Sequence, residues 1–86
     1  MSDHKNQKDV WLRLKKAHGH LNKVISMIEQ QSPCTPTSQQ LHAVIRALDK
    51  AKKIYIHDHI DHCITGNSDN VSDELIEDLK EIVKYL

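Results

Sequence analysis

Apolar residues in the first third of the chain recur at alternating intervals of four and three. Val10, Leu14, Ala17, Leu21, Val24 and Ile28 form a heptad stripe, the period of a helix whose apolar seam faces another helix. Trp11, Ile25 and Met27 lie beside or away from that seam, so the apolar coverage is wider than one narrow contact needs. The pattern predicts a helix from about Asn6 to Gln30. Gly19 sits in its middle at a cost of about 1 kcal/mol relative to alanine. Either a close approach by another helix or by DNA, or plain tolerance at a surface position, accounts for it.

The stretch from Gln30 to Thr37 breaks the pattern. Ser32-Pro33 and Thr35-Pro36 each read as a capping hydroxyl followed by proline at a first helical position. Cys34 therefore falls in the first turn of a second helix or just before it, where unpaired backbone N–H groups favour a thiolate. This second helix is expected to run to about Thr65, with Leu41, Val44, Ile45, Leu48, Ala51, Ile54, Tyr55 and Ile56 giving it a broad apolar face. Following that face onward leads to His59 and Cys63. Gly66-Asn67-Ser68-Asp69-Asn70 is a turn by composition. Ser72 is the expected cap of a third helix, with Asp73 and Glu74 in its first turn, where the helix dipole favours them. Leu75, Leu79, Ile82 and Leu86 form its stripe, flanked by Ile76 and Val83. The expectation is all-α: three helices, two long and one short, in a single domain spanning residues 1–86.

Composition sharpens this picture. The chain has 86 residues, with two glycines, two neighbouring prolines and Trp11, Tyr55 and Tyr85 as its aromatic side chains. Such a composition suits helices and leaves few turns for sheets. A domain this small is marginal alone, so assembly or a bound metal is expected to add stability. No apolar run is long enough to span a bilayer and the first residues are polar, which points to a cytoplasmic protein without a membrane partner. In a reducing compartment, two cysteines are more readily ligands or redox thiols than a disulfide. Net charge is zero, yet residues 1–64 hold ten Lys/Arg against six Asp/Glu, while residues 65–86 hold two against six. A basic front and an acidic tail occupy different parts of the molecule, a mild hint of an anionic partner.

The chemistry concentrates in His57-Asp58-His59-Ile60-Asp61-His62-Cys63. On a helix, His59 and Cys63 are one turn apart on one face and can converge on a single ion. Cys34 lies at the other end of the same helix, which at 1.5 Å per residue is about 42 Å long. The two ends cannot share a metal within one chain, but they can across an antiparallel dimer. Taken singly, each residue has a blander reading: a small incidental thiol, a packing pair, a solvated helix end. Together, two thiolates and an imidazole make a soft donor set suited to Cu(I) or Zn(II). Nothing supports an enzyme, for there is no nucleophile elbow, phosphate-binding glycine loop or paired carboxylates with a cleft. Lys8, Arg13, Lys15, Lys16 and Lys23, with Arg46, Lys50, Lys52 and Lys53, suit either phosphate contacts or ordinary solvated helix surfaces.

The residues Leu14-Lys15-Lys16-Ala17-His18-Gly19-His20, Met27-Ile28-Glu29, Cys34, Gln40-Leu41-His42-Ala43-Val44 and His59-x3-Cys63, with their separations, resemble the CsoR/RcnR family of all-helical, metal-sensing transcriptional repressors. The resemblance covers nearly the whole chain. It implies an antiparallel four-helix-bundle dimer that assembles into a homotetramer, a dimer of dimers. It also implies a metal site between protomers, with Cys34 from one and His59 and Cys63 from the other. A Cys-His-Cys set is similar to the copper-responsive branch, so Cu(I) is the expected metal, with Ni(II), Co(II) or Zn(II) as alternatives. His4 resembles the N-terminal histidine of nickel and cobalt sensors, displaced by two residues, and is an additional candidate ligand. The family places an acid of the third helix beside the ligands, for which Glu74 and Glu77 are the candidates. It also implies double-stranded operator DNA as partner, contacted at Arg13 and Lys50 with Lys16 and Arg46 in support. His20 departs from the glutamine the family commonly has there, and Pro33 and Pro36 replace the acidic or small residues usual around the first ligand. The expected function is a repressor released from DNA by Cu(I). The alternatives are a thiol- or persulfide-responsive or nickel/cobalt-responsive repressor, and a DNA-free metal-binding bundle.

Overall fold

A computed structural model describes residues 6–66 and 73–86, with side chains in the second helix described as far as Asp61. The elements are α1 (Gln7–Glu29), α2 (Cys34–Gly66) and α3 (Asp73–Ile82), followed by a 3-10 turn over Val83–Tyr85. The all-α expectation holds, and the first two helices end within a residue or so of where periodicity puts them. The final 3-10 turn is not signalled by the apolar pattern.

The connection between α1 and α2 folds the chain back on itself. Gln31 adopts φ 57°, the left-handed region. Its N–H donates to the Ile28 carbonyl, and the Ser32 N–H to the Met27 carbonyl. This pair of bonds satisfies two carbonyls that the end of a helix otherwise leaves open. A non-glycine residue there carries a steric cost of about 1–2 kcal/mol. Pro33 follows at once and supplies the first carbonyl of α2, accepting the Thr37 N–H at 3.3 Å and the Thr37 hydroxyl at 2.9 Å. Cys34 is thus the first residue of α2, and Pro36 lies inside its first turn. Neither proline has an N–H, so two of the four donors that a helix start leaves open are removed by residue choice. The Ser-Pro and Thr-Pro cap expectations are resolved in this way, with the Pro33 carbonyl rather than a Ser32 or Thr35 hydroxyl opening the helix.

Packing is economical. Among the described residues the buried apolar side chains are Val10, Ala17 and Val24 of α1 and Val44, Ala51 and Ile56 of α2, and no charged or polar side chain is buried. Val10, Ala17 and Val24 are every second member of the heptad stripe. The intervening Leu14, Leu21 and Ile28 are 44%, 37% and 61% exposed. On α2 the same division holds: Val44 and Ala51 are buried, while Leu41, Leu48 and Tyr55, also seven apart, stay exposed. Two helices in contact can bury only the line along which they touch, and alanines on that line allow a close approach. The wide stripes therefore leave a continuous apolar surface on one side of the hairpin. The expectation that His59 continues a buried face is corrected accordingly: Ile45, Leu48 and Tyr55 are exposed, Ile56 is buried and His59 is half-buried.

The third helix packs against the far end of α2. Leu75, Leu79 and Ile82 are half-buried as the stripe predicts, while Ile76, Val83 and Leu86 are exposed. Asp73 and Glu74 occupy its first turn. Gly66, read from the sequence as the start of a turn, is instead the last residue of α2; the rest of that turn, Asn67-Ser68-Asp69-Asn70, and Ser72 lie outside the described residues. A Cβ added at Gly19 would meet nothing within 4 Å, so no neighbouring helix of the protomer accounts for that glycine.

Candidate functional site

The predicted ligands are distributed along one uninterrupted helix of 33 residues, about 50 Å long. Cys34 opens it and is exposed, with Sγ 3.8 Å from Ser38 Oγ. His59 lies 25 positions later, about 37 Å away along the axis. Cys63 belongs to the same helix, one turn beyond His59. Its side chain, like that of His62, lies outside the described residues, as does His4. Among the described residues no three His, Cys, Asp or Glu side chains converge into a metal-holding group. The length of α2 by itself keeps Cys34 apart from His59 within one protomer. Glu74 and Glu77 are exposed on α3, and Glu77 faces Lys80 at 3.9 Å.

The surroundings of His59 come from two elements. Lys52, Tyr55, Ile56 and His59 of α2, with Ile82 of α3 and Tyr85 of the 3-10 turn, line one mostly apolar groove. The third helix therefore brings its C-terminal end alongside His59. On the other flank of α2, Asn6, Ile54, His57, Asp58, Ile60 and Asp61 line a more polar groove. There Asn6 Nδ2 donates to Asp58 Oδ1 at 3.5 Å and ties the start of α1 to α2.

All four predicted DNA-contacting residues come together. Arg13 and Lys16 of α1 and Arg46 and Lys50 of α2 line a single groove of about 350 Å³, with Ala17, Ala47 and His20. The α1 residues follow i, i+3, i+7 spacing and the α2 residues i, i+4, which puts each set on one face. Two alanines form the remainder of the lining, so no bulky side chain fills it. Arg13 Nε also donates to Asp9 Oδ2 at 3.1 Å, an exposed pair within α1. Charge counting misses His20 and Gln40: His20 Nε2 donates to Gln40 Oε1 at 2.6 Å, joining the helices at one end of the groove. The spacing of His20 from Arg13 and Lys16 is the signal that could have found it.

The basic stripe continues along α2 in a second groove lined by Ile45, Arg46, Asp49, Lys50, Lys53, Ile54 and His57. Asp49 lies 3.0 Å from Lys53 Nζ and 3.6 Å from Lys52 Nζ. The hydrogen bond from Lys53, with the charges of Lys53 and Lys52 added, holds the Asp49 carboxyl below the usual carboxylate range.

The opposite side of the α1–α2 contact line has another chemistry. Val10, Trp11, Leu14, Leu48, Ala51 and Tyr55, with Gln7 and Lys52, line an apolar groove of about 360 Å³. Trp11 is 57% exposed, and Lys15 Nζ lies 5.8 Å from its ring centroid. No helix among the described residues is long and apolar enough to cross a membrane.

Comparison with known proteins supplies the family. The family model for metal-sensitive transcriptional repressors matches residues 6–86. The copper-sensing transcriptional repressor CsoR of Mycobacterium ulcerans (strain Agy99) is 36% identical over 73 residues, covering 79% of this chain and 62% of that protein. Proteins of the same name from Mycobacterium bovis (strain BCG / Pasteur 1173P2) and Mycobacterium tuberculosis (strain ATCC 25618 / H37Rv) are each 32% identical over 74 residues, covering 85% of this chain and 62% of their own lengths. The chain thus spans 62% of the length of these curated relatives. No solved structure gave a match. Because the family match runs from the cap of α1 to the last residue, the chain belongs to the metal-sensitive transcriptional repressors of the CsoR/RcnR family.

Proposed function

We propose that the protein is a single-domain transcriptional repressor that holds double-stranded operator DNA in its metal-free state and releases it on binding Cu(I). It acts as a homotetramer built from two antiparallel dimers. Cys34 of one protomer joins His59 and Cys63 of its partner, and Arg13, Lys16, Arg46 and Lys50 hold the phosphates. His4, Glu74 and Glu77 are the remaining candidates near the metal. The observation that carries this reading is the continuity of α2. One unbroken helix bears Cys34 at its start, Arg46 and Lys50 at its middle and the His59/Cys63 turn at its end.

The donor set fits the ion: two thiolates and one imidazole are soft ligands that suit Cu(I) over hard cations. When bound, the metal supplies a tie between the start of one α2 and the end of another. The chain's own residues do the rest. Pulling on either end of a stiff helix displaces the Arg46 and Lys50 side chains that it carries, so a metal that favours the DNA-incompetent arrangement lowers DNA affinity without touching DNA. The names of the mycobacterial relatives support copper as the signal.

Mixing variants tests the shared site. Neither Cys34→Ala nor His59→Ala alone is expected to bind Cu(I) with wild-type affinity in an anaerobic titration, whereas co-refolding the two should restore a fraction of complete sites. Wild-type affinity in either single variant would exclude the inter-protomer site. The exposed Cys34 thiol supports a second reading, response to persulfide or another thiol-reactive inducer. In that case His59→Ala would retain release by the inducer, and mass spectrometry would find Cys34–Cys63 crosslinks.

A further inference from the structure

The basic groove holds a side chain that charge counting at neutral pH ignores. His20 lines it beside Arg13 and Lys16 of its own helix and opposite Arg46 and Lys50 of α2, and no carboxylate lines that groove. Asp9, which pairs with Arg13 at 3.1 Å, lies outside the lining. His20 is half-buried and its ring is held at one nitrogen: the Gln40 amide oxygen is an acceptor only, so Nε2 carries the proton of the 2.6 Å bond. This leaves Nδ1 as the ring atom available to a ligand. In the neutral ring Nδ1 can only accept a hydrogen bond, and a phosphate oxygen offers none to accept. In the imidazolium Nδ1 becomes a donor, with a positive charge behind it.

Resting on the reading of this groove as the DNA surface, we infer that His20 is a fifth phosphate contact, one that engages only as the imidazolium and whose ring Gln40 holds in place. A phosphate oxygen seated at Nδ1 accepts a hydrogen bond only from the imidazolium, so the bound state selects that form. DNA binding therefore draws a proton onto His20, and by linkage lower pH tightens DNA binding. The gain is electrostatic and independent of base sequence.

The experiment uses the full-length apo protein and a fluorescein-labelled duplex of random sequence, with anisotropy read at pH 8 and pH 6 at one fixed low salt concentration. Wild type is expected to bind about five- to tenfold more tightly at pH 6, the effect of one bound proton per contact. In His20→Gln the ratio of affinities at pH 6 and pH 8 should lose most of the wild-type gain, whatever its absolute affinity at pH 8. His20→Lys, charged at both values, should reach at pH 8 the affinity that wild type has at pH 6. Gln40→Ala should shrink the gain by releasing the ring. The other six histidines are present in every variant, so whatever they contribute cancels in these differences. An unchanged pH gain in His20→Gln, or no gain at pH 8 in His20→Lys, would overturn the assignment. Arg13→Ala and Lys50→Ala serve as controls: if they bind the duplex as wild type does, it is the DNA surface that fails.

Discussion

The two sides of the α1–α2 hairpin are built from the same pair of helices and share the same contact line, yet they are left open for opposite reasons. On one side Trp11, Leu14, Leu48 and Tyr55 remain exposed around an apolar groove. Water is a poor partner for that surface, and a second copy presenting the same apolar rows would remove it from solvent. On the other side Arg13, Lys16, Arg46 and Lys50 surround a groove that no carboxylate lines, although Asp9 pairs with Arg13 from outside it. Water solvates those charges well, so they gain from a partner only when it brings anions and releases counterions. Exposure therefore does not mean the same thing on the two faces: under the proposed function one awaits a second copy of the chain, the other a polyanion.

The comparison breaks most severely if a charge is placed on the apolar side. Leu48→Glu would bury an unpaired carboxylate in the proposed dimer, costing about 3–5 kcal/mol. Sedimentation should then report monomer, and the shared metal site should be lost with the assembly. An unchanged mass would show that this face is not the interface. The basic side should answer differently. Arg13→Ala and Lys50→Ala are expected to weaken duplex binding about tenfold each at low salt, and to flatten the log–log salt dependence by about 0.9 for each phosphate released. Assembly and Cu(I) affinity should stay as in wild type. Asp9→Asn sharpens the same point in the other direction. Freed from its 3.1 Å partner, Arg13 should bind a duplex about twofold more tightly, a change of the size expected for an exposed pair.

Smaller effects separate the scaffold from its faces. Gln31→Gly should raise stability to denaturant by about 1 kcal/mol by relieving the left-handed backbone at the hairpin turn, with mass and DNA affinity unaltered. Asp49→Asn should be smaller still. The Asp49 carboxyl is held below its ordinary range by Lys53, so its contribution is present above the unfolded value of about 4 and is lost as pH falls through the folded one. The melting temperatures of wild type and Asp49→Asn should differ slightly at neutral pH and converge in acid, as a calorimetric pH series would show.

Much of the molecule was legible because its signals are local. The period of Val10 to Ile28 located α1, and the Pro33/Pro36 break located the start of α2 within a turn. The candidate ligands were legible through residue chemistry, and their separation followed from helical rise alone. What could not be read was which member of each apolar stripe would be buried. Leu14 and Ala17 carry equal weight in a heptad, but only Ala17 lies on the line where the two helices touch. The spacing of His20 from Arg13 and Lys16 puts it on their face, but its bond to Gln40, twenty positions away, could not be read from that spacing.

The sequence by itself determined the helices, their first break and, from helical rise, that the candidate ligands Cys34 and His59 stand too far apart to meet within one protomer. Only the tertiary structure decided how α1 lies on α2. That placement gathered four basic residues from two helices into one groove and left the alternate leucines exposed on the other side, while the packing of α3 and the 3-10 turn on α2 brought Tyr85 alongside His59. The physical reason is that helical periodicity specifies the face a residue occupies, whereas the angle and register of two packed helices are set by the side chains at their contact, here the small Ala17 and Ala51 among valines.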